Sequence, residues 1–183
     1  MTGKIVNFTL FQSLWFACVV GAAKNTLLPG LVVITAMLAW HSLPENRRPG
    51  DMRLAAVAVV GGALLDSFWV HAGLMTFSTA VPHAGVAPLW ILMLWAGFSL
   101  TLNHSLAWLQ KHYFLAALFA AIASPLSYLA GEKLGAVTFT ADIAVTATAV
   151  SVAWAAALPA LLFLAKRWLN QQPGSRDLWA LSR

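Results

Sequence analysis

Cysteine is almost missing from this chain. Cys18 is the only one in 183 residues, which excludes an intrachain disulfide and a thiolate metal cluster. Its place in an apolar run marks it as a small buried hydrophobe. Charge is scarce too: Asp, Glu, Lys and Arg make up 9% of the residues, where soluble domains carry about 25%. So few charges cannot clothe a water-soluble surface of ordinary kind. Catalytic signatures are also lacking: the sequence holds no HExxH, no GxSxG, no Walker-type glycine loop and no paired-cysteine motif. No catalytic residue, metal site or cofactor is therefore expected from motif alone.

What the chain has in excess is apolar length, with 60% hydrophobic residues and a mean hydropathy of +0.76. A helix needs roughly 20 mainly apolar residues to cross a hydrocarbon core of about 30 Å. Six runs approach or meet that length: 5–23, 26–43, 54–77, 88–109, 112–130 and 143–168. The expected fold is all-α, a polytopic transmembrane bundle of six helices. Residues 1–169 would form one domain, and 170–183 a short cytoplasmic tail. Pro29, early in the second run, fits a first helical turn, where its missing N–H has no intrahelical partner anyway.

The formal net charge of +5 would suggest nucleic acid in a soluble protein. Here the basic residues sit in short connections between apolar runs, so the bilayer is the expected partner and nucleic acid is not. Threading six spans places Lys4, Arg47, Arg48, Arg53, Lys111, Lys166, Arg167, Arg176 and Arg183 on one side and leaves only Lys24 and Lys133 on the other. Because Lys and Arg concentrate in short cytoplasmic loops, that asymmetry predicts both termini in the cytoplasm. Trp40, Trp108, Trp168 and Trp179 fall at the same side, as interfacial tryptophans do. An alternative is a signal peptide, with Lys4 and an apolar run ahead of "VVGAAKN" and cleavage after Ala23. Gln12, Trp15 and Phe16 suit a packed helix better.

The informative positions are polar residues set among apolar ones. In "GGALLDSFWVHAG" Asp66 falls near the middle of the third run, where an aspartate costs about 2.5–3.5 kcal/mol and must be shielded, paired or protonated. Ala55, Ala58, Gly62, Trp69 and Gly73 share its helical face, and such small residues let a neighbour come close. Asp66 should then meet a hydrogen-bond donor inside the bundle. His71, five positions on, lies about 140° around the helix and about 7.5 Å away along it, so the two form no same-face pair.

In the fourth run Gly97, Thr101, His104 and Trp108 recur at helical spacing, with Asn103 adjoining. Gln12 shares a face with Phe8, Trp15 and Phe16. "SPLSYLAGE" brings Ser124, Ser127, Tyr128 and Glu132 together in the fifth, where Pro125 interrupts the helix and frees a carbonyl that needs a donor. Asp142 reads as an N-cap or an interfacial charge, whereas His41, His83 and His112 lie near span ends and read as surface residues. The candidate intramembrane polar site is thus Asp66, His71, Asn103, His104, Gln12 and Tyr128. The estimated depths of Asp66, His71, His104 and Glu132 argue against one shared metal or acid–base centre.

The segments "NFTLFQSLWFACVVGA", "DSFWVHAG", "PLWILMLWAGFSLTLNHSLAWL" and "SPLSYLAGEKLGAV" together resemble a family of small bacterial multi-pass inner-membrane proteins, catalogued as domain of unknown function number 2878. The resemblance runs over about residues 7–165 and implies a polytopic protein of the bacterial inner membrane. It carries no mechanism with it. Three readings of function therefore stand side by side. One is transport or handling of a small or lipid-like molecule. A second is a non-catalytic scaffold that receives a membrane-protein partner or a second copy of the chain. The third is a lipid-modifying enzyme using Asp66 with His71 or His104.

Overall fold

The computed structural model describes residues 2–171. Six α-helices carry the fold: α1 (Thr2–Ala23), α2 (Leu28–Ser42), α3 (Asp51–His71), α4 (Leu89–Ser99), α5 (Tyr113–Lys133) and α6 (Ile143–Leu169). Two short strands, β1 (Met75–Phe77) and β2 (Val137–Phe139), pair antiparallel with Thr76 opposite Thr138. A 3-10 turn, Ala107–Lys111, precedes α5. Four helices, α1, α3, α5 and α6, are long and apolar enough to cross a membrane. By contrast, α2 and α4 have 15 and 11 residues, and 11 residues reach only about 16 Å at 1.5 Å rise. Ile5, Leu64, Phe114 and Val152 stand largely exposed on the outside. Apolar surface of that extent is solvated by hydrocarbon, so the chain is a membrane protein in contact with the lipid bilayer.

Local chemistry explains the helix limits. Pro29 occupies the first turn of α2, as its position in the sequence predicts. The Asp142 carboxylate accepts from the backbone N–H groups of Ala144 at 2.9 Å and Val145 at 3.2 Å, which makes it the N-cap of α6. Gly50 starts α3 at φ +84, and a Cβ there would come within 2.7 Å of the Trp168 side chain. Pro125 lies inside α5 without ending it. The carbonyl it deprives of a partner, four residues back at Ala121, accepts the Ser151 hydroxyl of α6 at 2.8 Å. That bond ties α5 to α6, the pair in most extensive contact.

The remaining packing runs α3 on α4 and α1 on both α2 and α4. Glycines permit the closest approaches: a Cβ at Gly97 of α4 would overlap Leu14 of α1, and one at Gly30 of α2 would press on Cys18. Cys18 is buried, as its apolar setting predicts. Leu14, Met37, Leu54, Leu100, Leu102, Leu158 and Leu162 form the innermost core.

Two expectations about element limits need correction. The third run does not continue to residue 77: α3 ends at His71, and "MTF" is the strand β1. Trp90 Nε1 donates to Ser78 O at 2.9 Å and the Ser78 hydroxyl to Gly135 O at 2.7 Å, so the two-stranded sheet is tied to α4 and to the end of α5. The fourth run is not one helix over 88–109: α4 stops at Ser99, and residues 100–106 proceed in turns. Trp179, Arg176, Arg183 and the tail assigned to 170–183 lie outside the described residues, apart from Asn170 and Gln171.

Candidate functional site

Asp66 lies five residues before the end of α3, midway between the centre of the helix and the end that leads into β1. One turn earlier Gly62 has no side chain, and a Cβ there would overlap the Trp95 indole. The missing side chain leaves room for that indole. Trp95 of α4 thereby reaches the carboxylate and donates from Nε1 to Oδ2 at 2.7 Å, while the Tyr128 hydroxyl of α5 donates to Oδ1 at 2.5 Å. Asp66 is wholly buried, so both oxygens are satisfied by neutral donors with no cation at hand. Trp95 stacks on Trp154 of α6, with ring centroids 4.4 Å apart and planes inclined by 13°, and Phe98 meets Trp154 edge-on at 5.4 Å.

These rings form one wall of a cleft of about 500 Å³. Because α1 and α5 hardly touch one another, the space between them stays open, with α4 and Trp154 behind it. Phe8, Phe11, Gln12, Trp15 and Phe16 line it from α1, and Ser124, Ser127 and Tyr128 from α5. One hydrogen bond crosses it, from Trp15 Nε1 to Ser127 Oγ at 2.9 Å. Asp66 itself does not line the cleft; its two donors do. The Ser124 hydroxyl and Trp154 Nε1, also on the wall, are buried without any partner, and so is Trp69 Nε1. The N–H groups of Trp69 and Trp154 lie near the Tyr128 hydroxyl without closing a bond to it.

A second polar cluster occupies the opposite end. Asp51, the first residue of α3, accepts from Asn103 Nδ2 and His104 Nε2, both at 2.9 Å, and from the backbone N–H of Arg48 at 3.2 Å. Gln110 donates to Leu102 O and to Asn103 Oδ1, both at 2.9 Å. His41 Nδ1–H donates to Met37 O at 2.8 Å, which leaves Nε2 to accept from Asn7 Nδ2 at 3.1 Å. The same Asn7 amide donates to Leu100 O at 3.1 Å, while its Oδ1 accepts the Ser105 hydroxyl at 2.6 Å. Asn7 of α1, Asp51 of α3 and Gln110 thus take over polar groups of the unwound stretch after α4. Such backbone is tolerated at membrane depth because protein groups satisfy it.

The sequence-predicted residues therefore separate into three groups. Asp66 and Tyr128 are joined directly, and Gln12 shares the cleft with Tyr128. Asn103 and His104 serve Asp51 at the other end. His71 is exposed and bonds the Ser67 carbonyl of its own helix at 2.8 Å, while Glu132 accepts the Phe139 N–H at 3.2 Å. Asp66, His71, His104 and Glu132 form no common centre. His41 is not a surface residue: it is 2% exposed, because Asn7 and the unwound chain close over it. His83 and His112 are exposed.

Sequence reasoning passed over Asn7, Asp51 and Gln110. Asp51 stands two positions before Arg53, and nothing local announces that Asn103 and His104 would fold onto it. Trp95 and Trp154 were hidden among nine tryptophans. The signal that could have found Trp95 is Gly62 one turn before Asp66.

The family model described as "Protein of unknown function (DUF2878)" matches residues 4–160. The chain belongs to this family. The match takes in α1 through most of α6, and so both polar clusters and the cleft. No curated protein and no solved structure matches the chain. Membership brings no activity with it, and function must be argued from this geometry.

Proposed function

We propose that this DUF2878 member crosses the bacterial inner membrane six times, with both termini cytoplasmic, and that its cleft takes up a lipid-like molecule. Charge distribution supports the orientation. Lys4, Arg47, Arg48, Arg53, Lys111, Lys166 and Arg167 all belong to the end that carries the Asp51 cluster, against Lys24 and Lys133 at the end that carries the β1–β2 pair. On this reading α2 and α4 are short spans, and residues 100–111 complete the fourth crossing as irregular chain held by side chains.

The observation that carries the functional reading is the cleft: about 500 Å³, walled by rings from α1, α4, α5 and α6. That volume falls in the range of small-molecule sites, about 300–1,000 Å³, and its apolar rim of Phe8, Phe16 and Phe119 suits entry from hydrocarbon. The test is quenching of tryptophan fluorescence by a brominated 18-carbon chain, with protein held in maltoside micelles. Saturable quenching is expected, and Ala123→Phe, which fills the cleft from α5, should abolish it without lowering the unfolding temperature. Equal quenching in that variant would overturn the reading.

A scaffold role is the second reading, favoured by the sealed position of Asp66, whose oxygens are both taken by side chains of neighbouring helices. An enzyme built on Asp66 with His71 or His104 lacks support, since neither histidine reaches the aspartate.

A further inference from the structure

Surface that faces hydrocarbon should hold no polar group without a partner, because lipid chains supply none. Away from their ends, the outward faces of α3, α5 and α6 conform. Val60, Leu64, Leu118, Ile122 and Val152 are exposed there, and the exposed Thr148 donates to the Ala144 carbonyl of its own helix at 2.7 Å. The outward face of α1 departs from this. Thr9, Gln12 and Ser13 are exposed near its middle, whereas the α1 side chains that make hydrogen bonds are those of Asn7 and Trp15. The hydroxyls of Thr9 and Ser13 can turn back onto carbonyls one turn earlier. Gln12 has no such outlet. Its amide, with donor hydrogens and an acceptor oxygen, stands midway along the 22-residue helix, about 15 Å from either end at 1.5 Å per residue.

The neighbouring residues are spaced to receive another helix. Ile5, Thr9, Gln12 and Phe16 follow one another at intervals of four, three and four, the alternation by which a helix presents one seam to a partner helix. All four are exposed, Ile5 by 63% and Phe16 by 56%, so the seam is left free by α2 and α4, which pack on α1 elsewhere. Gln12 and Phe16 also border the cleft, but a lipid-like occupant keeps its polar end towards the interface and offers Gln12 only hydrocarbon at this depth. A partner helix can offer an amide. Copies inserted in one orientation are related by an axis along the membrane normal, which sets α1 parallel to its counterpart and each seam residue opposite itself. Glutamine suits that arrangement, since an amide both donates and accepts and two Gln12 side chains can satisfy one another.

We infer that α1 is the interface of a parallel homodimer, with Ile5, Thr9, Gln12 and Phe16 as the seam and paired Gln12 amides at its centre. A single polar seam position fixes register, and the interhelical bond adds to association. The interface stands whether or not the cleft binds a ligand.

The experiment uses the full chain in vesicles of phosphatidylethanolamine and phosphatidylglycerol. Cys18 is buried and stays in place. Under oxidation by copper phenanthroline, Ile5→Cys, Thr9→Cys and Phe16→Cys should each give a cross-linked dimer, whereas Val60→Cys on α3 and Val152→Cys on α6 should not. Energy transfer between labelled copies, followed as lipid dilutes the protein, measures association. Gln12→Leu should weaken it about tenfold, the size of one interhelical hydrogen bond in lipid, and Gln12→Asn should retain most of it. In dilute micelles, where the chain is single, neither variant should lower the unfolding temperature, because Gln12 bonds nothing within the chain. A chain that stays monomeric at every dilution overturns the inference, as do cross-links formed equally at Val60→Cys and Val152→Cys, or association untouched by Gln12→Leu. If Gln12→Leu instead abolishes quenching by the brominated chain and leaves association unchanged, the amide belongs to the cleft and the dimer seam falls.

Discussion

The two polar clusters differ in one respect that matters more than their composition. Around Asp51 the side chains of Asn7, His41, Asn103, His104 and Gln110 all find partners, several of them backbone carbonyls of the unwound chain after α4. Around Asp66 the carboxylate is satisfied, yet Trp69, Trp154 and Ser124 keep unused hydrogen-bonding capacity. The first cluster spends its polarity on the fold, as a clasp closing a broken helix. The second holds some in reserve beside an open cleft. Polar residues buried in a membrane protein are costly everywhere, so leftover capacity, rather than polarity as such, is what marks a site.

Mutations at the two clusters should respond differently if this contrast is right. The largest loss is expected for Asp51→Ala, which strands His104 and Asn103 and frees the Arg48 N–H. Each of these buried donors loses its acceptor, at about 1–3 kcal/mol apiece before relaxation, and thermal unfolding in maltoside should show it. An unchanged midpoint would mean that the clasp is not what holds residues 100–106.

Asp66→Leu should come next, because it leaves the Trp95 N–H and the Tyr128 hydroxyl buried without an acceptor, at about 1–3 kcal/mol each before relaxation. Asp66→Asn keeps an acceptor oxygen and should lose less. If both variants unfold with the native protein, Asp66 does not position the cleft wall. The smallest effect is the sharpest test: Ser124→Ala removes a hydroxyl that has no partner, so ligand-free stability should change by roughly 0.5 kcal/mol or less, or rise slightly. A loss as large as that at Asp66 would show that Ser124 is bonded after all, and the contrast between the clusters would collapse.

Much of the scaffold could be read from residues alone, wherever the deciding physics is local. Pro29 in a first turn, Asp142 as a cap and a buried Cys18 each follow from the chemistry of a few adjacent positions. The carbonyl freed by Pro125 was predictable, but its donor, Ser151, is 30 positions away along the chain. Asp66 was legible as a residue needing donors, and Gly62 as a place of close approach. Which donors, and from which helices, was not.

The end of α4 is the plainest case of what local reading misses. Nothing between Gly97 and His112 breaks a helix by composition, and Thr101, His104 and Trp108 even repeat at helical spacing. The helix stops because Asn7 and Gln110 capture the carbonyls of Leu100 and Leu102 and Asp51 captures two side chains of the turn. That competition raises His41 from an apparent surface residue to part of the clasp.

Apolar run lengths, the grouping of basic residues and the isolation of Asp66 follow from the order of amino acids, since hydrocarbon acts on each segment separately and charges are sorted by short loops. The unwinding after Ser99, the division of polar groups between clasp and cleft, and the unpaired Ser124 and Trp154 were decided only when distant segments met, because a hydrogen bond's worth depends on which partner arrives and that is a property of the packed bundle.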